Sequence, residues 1–337
     1  MTSLKTTIFL SLLTIPLVIS LQANAQSFGE TLDVTFTPQS PSVGEKVSMT
    51  VKNVVKDLNR IQITWSLDGK IVKQGIGEKN FEFNLGSMGS VSSVTVSAGG
   101  LSKNVQIRPT DIDLVWETDG YAPPFYKGKT LRVFQGNVRL VAIPHFITPG
   151  GSALDRKKLV YTWRNGGILN PSGSGYGKNY LIYSGSIISH PLNIKVEVSS
   201  LDGDYKGSKG ISVQEIEPKI LLYEDHPLYG TLYNNALNDK EFVLNDKEVR
   251  ATAMPYFFST QNINASKLKY SWSINGARSN NPSFKNSVVF RQEGSVAGAS
   301  NVSLSLENSE EFMQASRAAF NIKFEGENAT SSSQNNI

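Results

Sequence analysis

The chain is predicted to be all-β, three tandem β-sandwiches behind a cleavable export signal, and three observations carry that expectation. Apolar residues alternate with period two throughout. A Trp-centred strand motif recurs at domain-length spacing. The chain opens on an apolar run too short to cross a bilayer, followed by a small-residue cleavage motif.

Alternation comes first. Val47, Met49 and Val51 interleave with Ser48 and Thr50, and Val94 and Val96 with Thr95 and Ser97. Ile194, Val196 and Val198 do the same with Lys195 and Glu197, as do Val302, Leu304 and Leu306 with Ser303 and Ser305. Period two with one polar face describes a strand in an antiparallel sheet wetted on one side. Clusters of Gly, Pro, Asn and Asp separate these short runs, the punctuation of a sandwich. No stretch shows a convincing helical stripe; the nearest candidate is segment 310–319, which could form a turn or two.

Repetition comes second. Ile63-Thr64-Trp65-Ser66-Leu67-Asp68-Gly69, Tyr161-Thr162-Trp163-Arg164-Asn165-Gly166 and Tyr270-Ser271-Trp272-Ser273-Ile274-Asn275-Gly276 share one pattern, with Trp65 to Trp163 spanning 98 residues and Trp163 to Trp272 spanning 109. Asp-Gly and Asn-Gly suit tight hairpins because both residues tolerate positive φ. Val138-Arg139-Leu140-Val141-Ala142-Ile143-Pro144-His145-Phe146 lies against Val249-Arg250-Ala251-Thr252-Ala253-Met254-Pro255-Tyr256-Phe257. Gly75-Ile76-Gly77 before Phe81 and Phe83 matches Gly175-Tyr176-Gly177 before Leu181 and Tyr183. The expected units are 30–108, 109–217 and 218–325, with Pro109 and Pro218 at matching junctions and a polar, disordered tail at 326–337. Short linkers suggest a semi-rigid rod.

Export comes third. Lys5 precedes an apolar run of 14 positions, 8–21, broken only by Ser11, Thr14, Pro16 and Ser20, and Ala23-Asn24-Ala25 follows. A bilayer needs roughly 20 apolar residues, so cleavage of a signal peptide at 1–25 is expected rather than an uncleaved anchor or a buried strand. No other segment approaches that length, so no transmembrane segment is expected in the mature chain, which is placed outside the cytoplasm, secreted or envelope-associated. The 337-residue sequence has no cysteine. That excludes disulfides, thiol chemistry and lipid attachment at a mature N-terminal Cys, and each unit of about 100 residues must stand on its own core. Net charge is +4, or +3 without Lys5, and the cations are scattered, so no nucleic-acid partner is expected.

A Trp in the middle strand of a sandwich is usually the plug between its sheets; the alternative is a stacking platform for sugars or bases. Recurrence at one alternating position in every unit favours the plug. The opening of the first unit, Thr37-Pro38-Gln39-Ser40-Pro41-Ser42-Val43-Gly44-Glu45-Lys46-Val47, resembles the first strands of bacterial extracellular immunoglobulin-like and PKD-like domains, and Ile63 to Gly69 resembles their Trp strand. The segments Trp116-Glu117 to Pro123-Pro124-Phe125-Tyr126-Lys127-Gly128, Leu159-Val160-Tyr161-Thr162-Trp163 and Leu222-Tyr223-Glu224-Asp225 are similar to an uncharacterised surface-protein family of candidate-phyla bacteria. Genes of that family tend to lie near pilus genes, which implies a cell-envelope role with a protein partner such as a pilus component. It transfers no functional residue.

Chemistry is hard to find. The three histidines, His145, His190 and His226, do not cluster in sequence, and His145 aligns with Tyr256, so that position asks for a ring. The glycines of 173–177 lead into a strand, not into the helix that a phosphate loop needs. No catalytic residue and no cofactor is expected, and the chain is read as non-enzymatic. Carboxylates gather at the junctions, Asp111, Asp113, Glu117 and Asp119 at one and Glu215, Glu217, Glu224 and Asp225 at the other. Ordinary solvated charge is the preferred reading, with calcium rigidification the alternative. The candidate binding element is the aromatic loop Trp116, Tyr121, Phe125 and Tyr126 beside Pro123 and Pro124, with Tyr223, Leu228, Tyr229 and Tyr233 as its counterpart. Such a loop either recognises a partner or packs against the next unit, and packing is preferred. The expected function is that of an exported structural or binding protein of the cell envelope. The alternative, an adhesive or carbohydrate-binding module, requires exposed coplanar aromatics.

Overall fold

The structure, a computed structural model, describes residues 30–188, 191–280, 285–294 and 296–326. The expected signal peptide, His190 and nearly all of the expected tail lie outside them. The described residues form strands and two single 3-10 turns, with no α-helix among them.

Six sheets pair around three separate cores. The first sandwich comprises β1 (Asp33–Thr37), β2 (Lys46–Lys52), β3 (Gln62–Leu67), β4 (Lys70–Ile76), β5 (Asn80–Asn84), β6 (Ser92–Ala98) and β7 (Leu101–Ile107), in orders β1-β2-β5 and β4-β3-β6-β7. The second comprises β8 (Ile112–Thr118), β9 (Val138–Pro144), β10 (Val160–Asn165), β11 (Ile168–Leu169), β12 (Gly175–Tyr176), β13 (Tyr180–Tyr183), β14 (Leu192–Ser199) and β15 (Lys206–Val213). Its sheets run β13-β9-β8 and β11-β10-β14-β15, with β12 also on β10. The third comprises β16 (Lys219–His226), β17 (Gly230–Ala236), β18 (Glu241–Leu244), β19 (Glu248–Tyr256), β20 (Leu268–Ile274), β21 (Ala277–Arg278), β22 (Ser287–Arg291), β23 (Gly298–Asn308) and β24 (Ala315–Phe324). Its orders are β17-β16-β19-β22 and β18-β24-β23-β20-β21, with β18 parallel to β24.

Alternation sorts the faces as the sequence implies. Val47, Met49, Val51, Val94, Val96, Ile194, Val196, Val198, Val302, Leu304 and Leu306 are all buried, and Trp65, Trp163 and Trp272 are the largest fully buried side chains. Each indole is also satisfied: Nε1 donates to the carbonyl oxygen of Glu78, Lys178 and Lys285 at 2.8, 3.0 and 3.3 Å. A buried indole N–H needs such a partner. Asp68-Gly69 and Asn275-Gly276 both take positive φ at both positions, the tight hairpin geometry.

The nearest helical candidate is a turn and a strand. Segment 310–319 forms no helix: β24 begins at Ala315 and pairs with β23 from Glu307↔Ala315 to Gly298↔Phe324. Its alanines suit a helix locally, but a ten-residue antiparallel ladder and burial of Ala318 and Phe320 override that preference.

The sandwiches differ most between their first and second strands. That connection spans 38–45 in the first, 119–137 in the second, and 227–247 in the third, where it contains β17 and β18.

Candidate functional site

The connection 119–137 of the second sandwich is a strap that lies on the third. Its entry is fixed by Asp119, whose Oδ1 accepts from the backbone N–H of Asn137 at 3.0 Å and from Ser259 Oγ at 3.2 Å, while Oδ2 accepts from Asn137 Nδ2 at 2.7 Å. Gly120 then bridges Ser259 in antiparallel fashion. A Cβ at Gly120 would lie 2.7 Å from the Phe257 carbonyl oxygen, so the close approach depends on glycine. Tyr121 N–H donates to the Phe258 carbonyl oxygen at 2.8 Å, and Phe257 N–H to the Tyr121 carbonyl oxygen at 2.5 Å.

Beyond this pair of bonds the aromatic residues lie against the third sandwich, Tyr126 half-buried and Phe125 still 36% exposed. Phe125 stacks on Tyr233 with ring centroids 3.9 Å apart and meets Tyr223 edge-on at 6.3 Å. Tyr126 meets Tyr256 and Phe257 edge-on at 5.9 and 5.6 Å. These rings rim a fourth apolar cluster, Val133, Tyr223, Met254, Tyr256 and Phe257, with Leu131, Ile216, Leu221 and Ala236 against it. Burial raises the Tyr121 and Tyr256 phenols above the ordinary tyrosine range.

Three of the four candidate residues, Tyr121, Phe125 and Tyr126, thus come together with Tyr223 and Tyr233 of the counterpart set. Trp116 does not join them. It lies on the inward side of β8, against the second core, with Lys129 Nζ 3.4 Å from its ring centroid. Burial lowers the Lys129 ammonium below its ordinary value. Leu228 and Tyr229 stay exposed at the tip of the β16–β17 hairpin.

The exit of the strap holds polar anchors that no sequence motif marks. Arg132 and Glu215 form an ion pair with side chains only 2% and 3% exposed. Burial lowers the guanidinium below its ordinary value and the Glu215 charge opposes that. Alongside, Ile216 N–H donates to the Arg132 carbonyl oxygen at 2.9 Å, and Val133 bridges Ile216 in parallel, stitching the strap to the linker between the sandwiches.

Gln314, fully buried in the turn between β23 and β24, completes the junction. Its Oε1 accepts from Ser259 N–H at 2.8 Å and Asn308 Nδ2 at 3.1 Å. Its Nε2 donates to the Phe134 carbonyl oxygen at 2.9 Å and to Ser259 Oγ at 2.8 Å. Both ends of one amide are satisfied, which a buried amide requires. Next to it, Met313 N–H donates to Gln135 Oε1 at 2.8 Å.

The junction carboxylates take separate partners. Asp113 meets His145 Nε2 at 2.9 Å, Glu117 meets Arg139 at 3.4 Å, and Asp225 meets Arg250 at 3.6 Å. Among the described residues no three acidic or histidine side chains gather as a metal site. His226 Nδ1 accepts from the N–H groups of Leu228 and Tyr229, closing a hairpin.

The strand pairings and cores define a tandem array of immunoglobulin-like sandwiches. No protein family matches the sequence, and no curated protein matches it. Among solved structures, the three N-terminal domains of the bacteriophage RB49 highly immunogenic outer capsid protein are similar over 88% of this chain and 99% of that one, at 11% identity and a TM-score of 0.27. The central fibronectin-III array of RIM-binding protein is similar over 87% and 96%, at 8% identity and a TM-score of 0.30. The SGBP-B protein of Bacteroides ovatus, solved with a mixed-linkage heptasaccharide, is similar over 87% and 70%, at 11% identity and a TM-score of 0.21. At these values the likeness says nothing about activity, and the fold rests on the pairings and cores above.

Proposed function

We propose that this chain is a non-enzymatic, exported protein of the cell envelope, in which the second and third sandwiches form one stiff arm that spaces and presents binding surfaces. The observation that carries this reading is the strap. Its aromatics and the Gln314 contacts fasten one sandwich to the next, and the buried Arg132–Glu215 pair ties the strap down to the linker that leads into the third. The first junction has no such strap; it is held by Thr110 N–H on the Pro41 carbonyl oxygen at 2.9 Å, by Ser40 Oγ on Ser208 Oγ at 3.4 Å, and by Arg108 against Asp204 at 3.9 Å and over the Tyr205 ring at 5.1 Å. A protein partner at the surface, with pilus components as the first to try, follows from the resemblance described above.

Tyr121→Ala with Phe125→Ala tests the role of the strap. Fastening requires that the variant lose stability and that its second and third sandwiches tumble separately by NMR relaxation. A variant as stable and stiff as the parent that no longer captures an envelope partner would show that the loop is a recognition surface instead. An adhesive or carbohydrate-binding role is the second reading. Tyr176 and Tyr180, both exposed and lining one shallow groove with Lys178 and Gly173, are the aromatics it would use, and a glycan array separates it from the first.

A further inference from the structure

In each sandwich the first sheet turns one face to the core and one outward, and the three outward faces differ in ways the fold does not demand. In the first, strand register sets Thr35, Thr50 and Asn80 in one row and Thr37, Ser48 and Glu82 in the next. All six are polar, and they pair among themselves: Thr50 Oγ1 donates to Asn80 Oδ1 at 2.9 Å and Ser48 Oγ to Glu82 Oε1 at 2.8 Å. In the third, the corresponding face carries Leu221, Tyr223, Met254 and Tyr256, and the strap covers it.

In the second sandwich the same rows read Val115–Val141–Tyr180 and Glu117–Arg139–Ile182. This face is apolar like the third but bare like the first. Val115, Tyr180 and Ile182 are 49%, 50% and 58% exposed, and Tyr176 stands exposed across the turn from Tyr180. Residues 75–83 and 175–183 run in step, each Trp indole bonding the residue after the second glycine of its motif. Asn80 and Glu82 are therefore replaced by Tyr180 and Ile182 on an equivalent backbone. The sandwich closes with either set, so the apolar set answers to something outside the fold.

We propose that this face is where two copies of the chain meet, sheet against sheet about a two-fold axis. The charges argue for a second copy. Within these two rows lie one cation and one anion, Arg139 and Glu117, 3.4 Å apart, and the row beyond them holds Asp113 against His145. A two-fold axis beside them sets Arg139 of each copy against Glu117 of the other, the self-complementarity that an isologous interface needs. A partner of one charge sign would be repelled by one of the two. The guanidinium of Arg139 lies 5.5 Å from the Tyr180 ring centroid, which holds that ring in place at the centre of the face.

Sedimentation velocity on the purified chain over about 5 to 500 µM brackets a micromolar dimer. A monomer–dimer equilibrium is expected. The double variant Tyr180→Asn, Ile182→Glu installs the residues the first sandwich carries, so it should melt like the parent and weaken the dimer at least about tenfold, or 1.4 kcal/mol. Should that variant misfold, Val115→Thr, the residue found at Thr35, serves in its place. Arg139→Glu should weaken the dimer, and adding Glu117→Arg should restore it. A parent that stays monomeric throughout, a dimer indifferent to these substitutions, or a monomer that binds neutral oligosaccharides through Tyr180 would overturn the proposal.

Discussion

The side-chain amide of Gln314 donates to the carbonyl oxygen of Phe134 at 2.9 Å, across 180 residues of sequence, and so ties the last turn of the third sandwich to the strap of the second. Gln314 is fully buried, so its four side-chain hydrogen bonds stand in place of those that solvent supplies to an exposed amide.

Gln314→Ala strands the Ser259 N–H and the Phe134 carbonyl oxygen. Leaving buried groups unpaired costs about 1–3 kcal/mol. Urea unfolding should show that loss, and amide exchange should quicken first at Ser259.

Arg132→Met takes the guanidinium away from buried Glu215. Breaking a buried pair from one side costs about 3–5 kcal/mol, whereas replacing both partners by apolar residues is often neutral. Thermal unfolding should therefore show a large loss in Arg132→Met and recovery of most of it when Glu215→Leu is added.

Gly120→Ala places a methyl group against the Phe257 carbonyl oxygen, 2.7 Å away in the parent geometry. Overpacking of this kind costs about 1–3 kcal/mol. The strap should lift locally, seen as faster exchange at the Tyr121 and Phe257 amides, while the three cores stay intact.

Alkaline pH acts through the core tyrosines. Burial raises the Tyr161 phenol to about 12, and its OH donates to the Arg156 carbonyl oxygen at 2.9 Å; Tyr270, bonded to the Ile263 carbonyl oxygen at 2.8 Å, shifts in the same direction. A pKa raised on folding contributes stability that is fully present below the unfolded value, about 10, and is lost as pH rises through the folded one. Stability should thus fall between those limits, and Tyr161→Phe should flatten that fall in a pH series of melting temperatures.

The sandwiches were legible because their cause is local. Period-two alternation and a Trp every hundred residues or so state which face is buried, and the structure buries those residues. The contact of Phe125 and Tyr126 with the third sandwich was half legible: aromatics beside Pro123 and Pro124 announce a contact without saying with what. Trp116 belongs to the alternation of β8 rather than to the loop, and its parity with Ile112 and Leu114 was the signal that placed it on the core side. Arg132 and Gln314 were not legible. Each is an ordinary polar residue in its own neighbourhood, and only the meeting of distant segments buries it. The strand within 310–319 was not legible for the same reason, since the register that pairs it with β23 is not written in its own residues.

The most direct test of the stiff arm is a distance between the second and third sandwiches. The chain has no cysteine, so spin labels can be placed cleanly through Lys209→Cys in β15 and Lys269→Cys in β20, both at exposed strand positions. Double electron–electron resonance should give one narrow distance distribution in the parent that broadens when Gln314→Ala is added. A broad or two-peaked distribution in the parent itself would contradict the account, because sandwiches that move independently cannot be fastened by the strap.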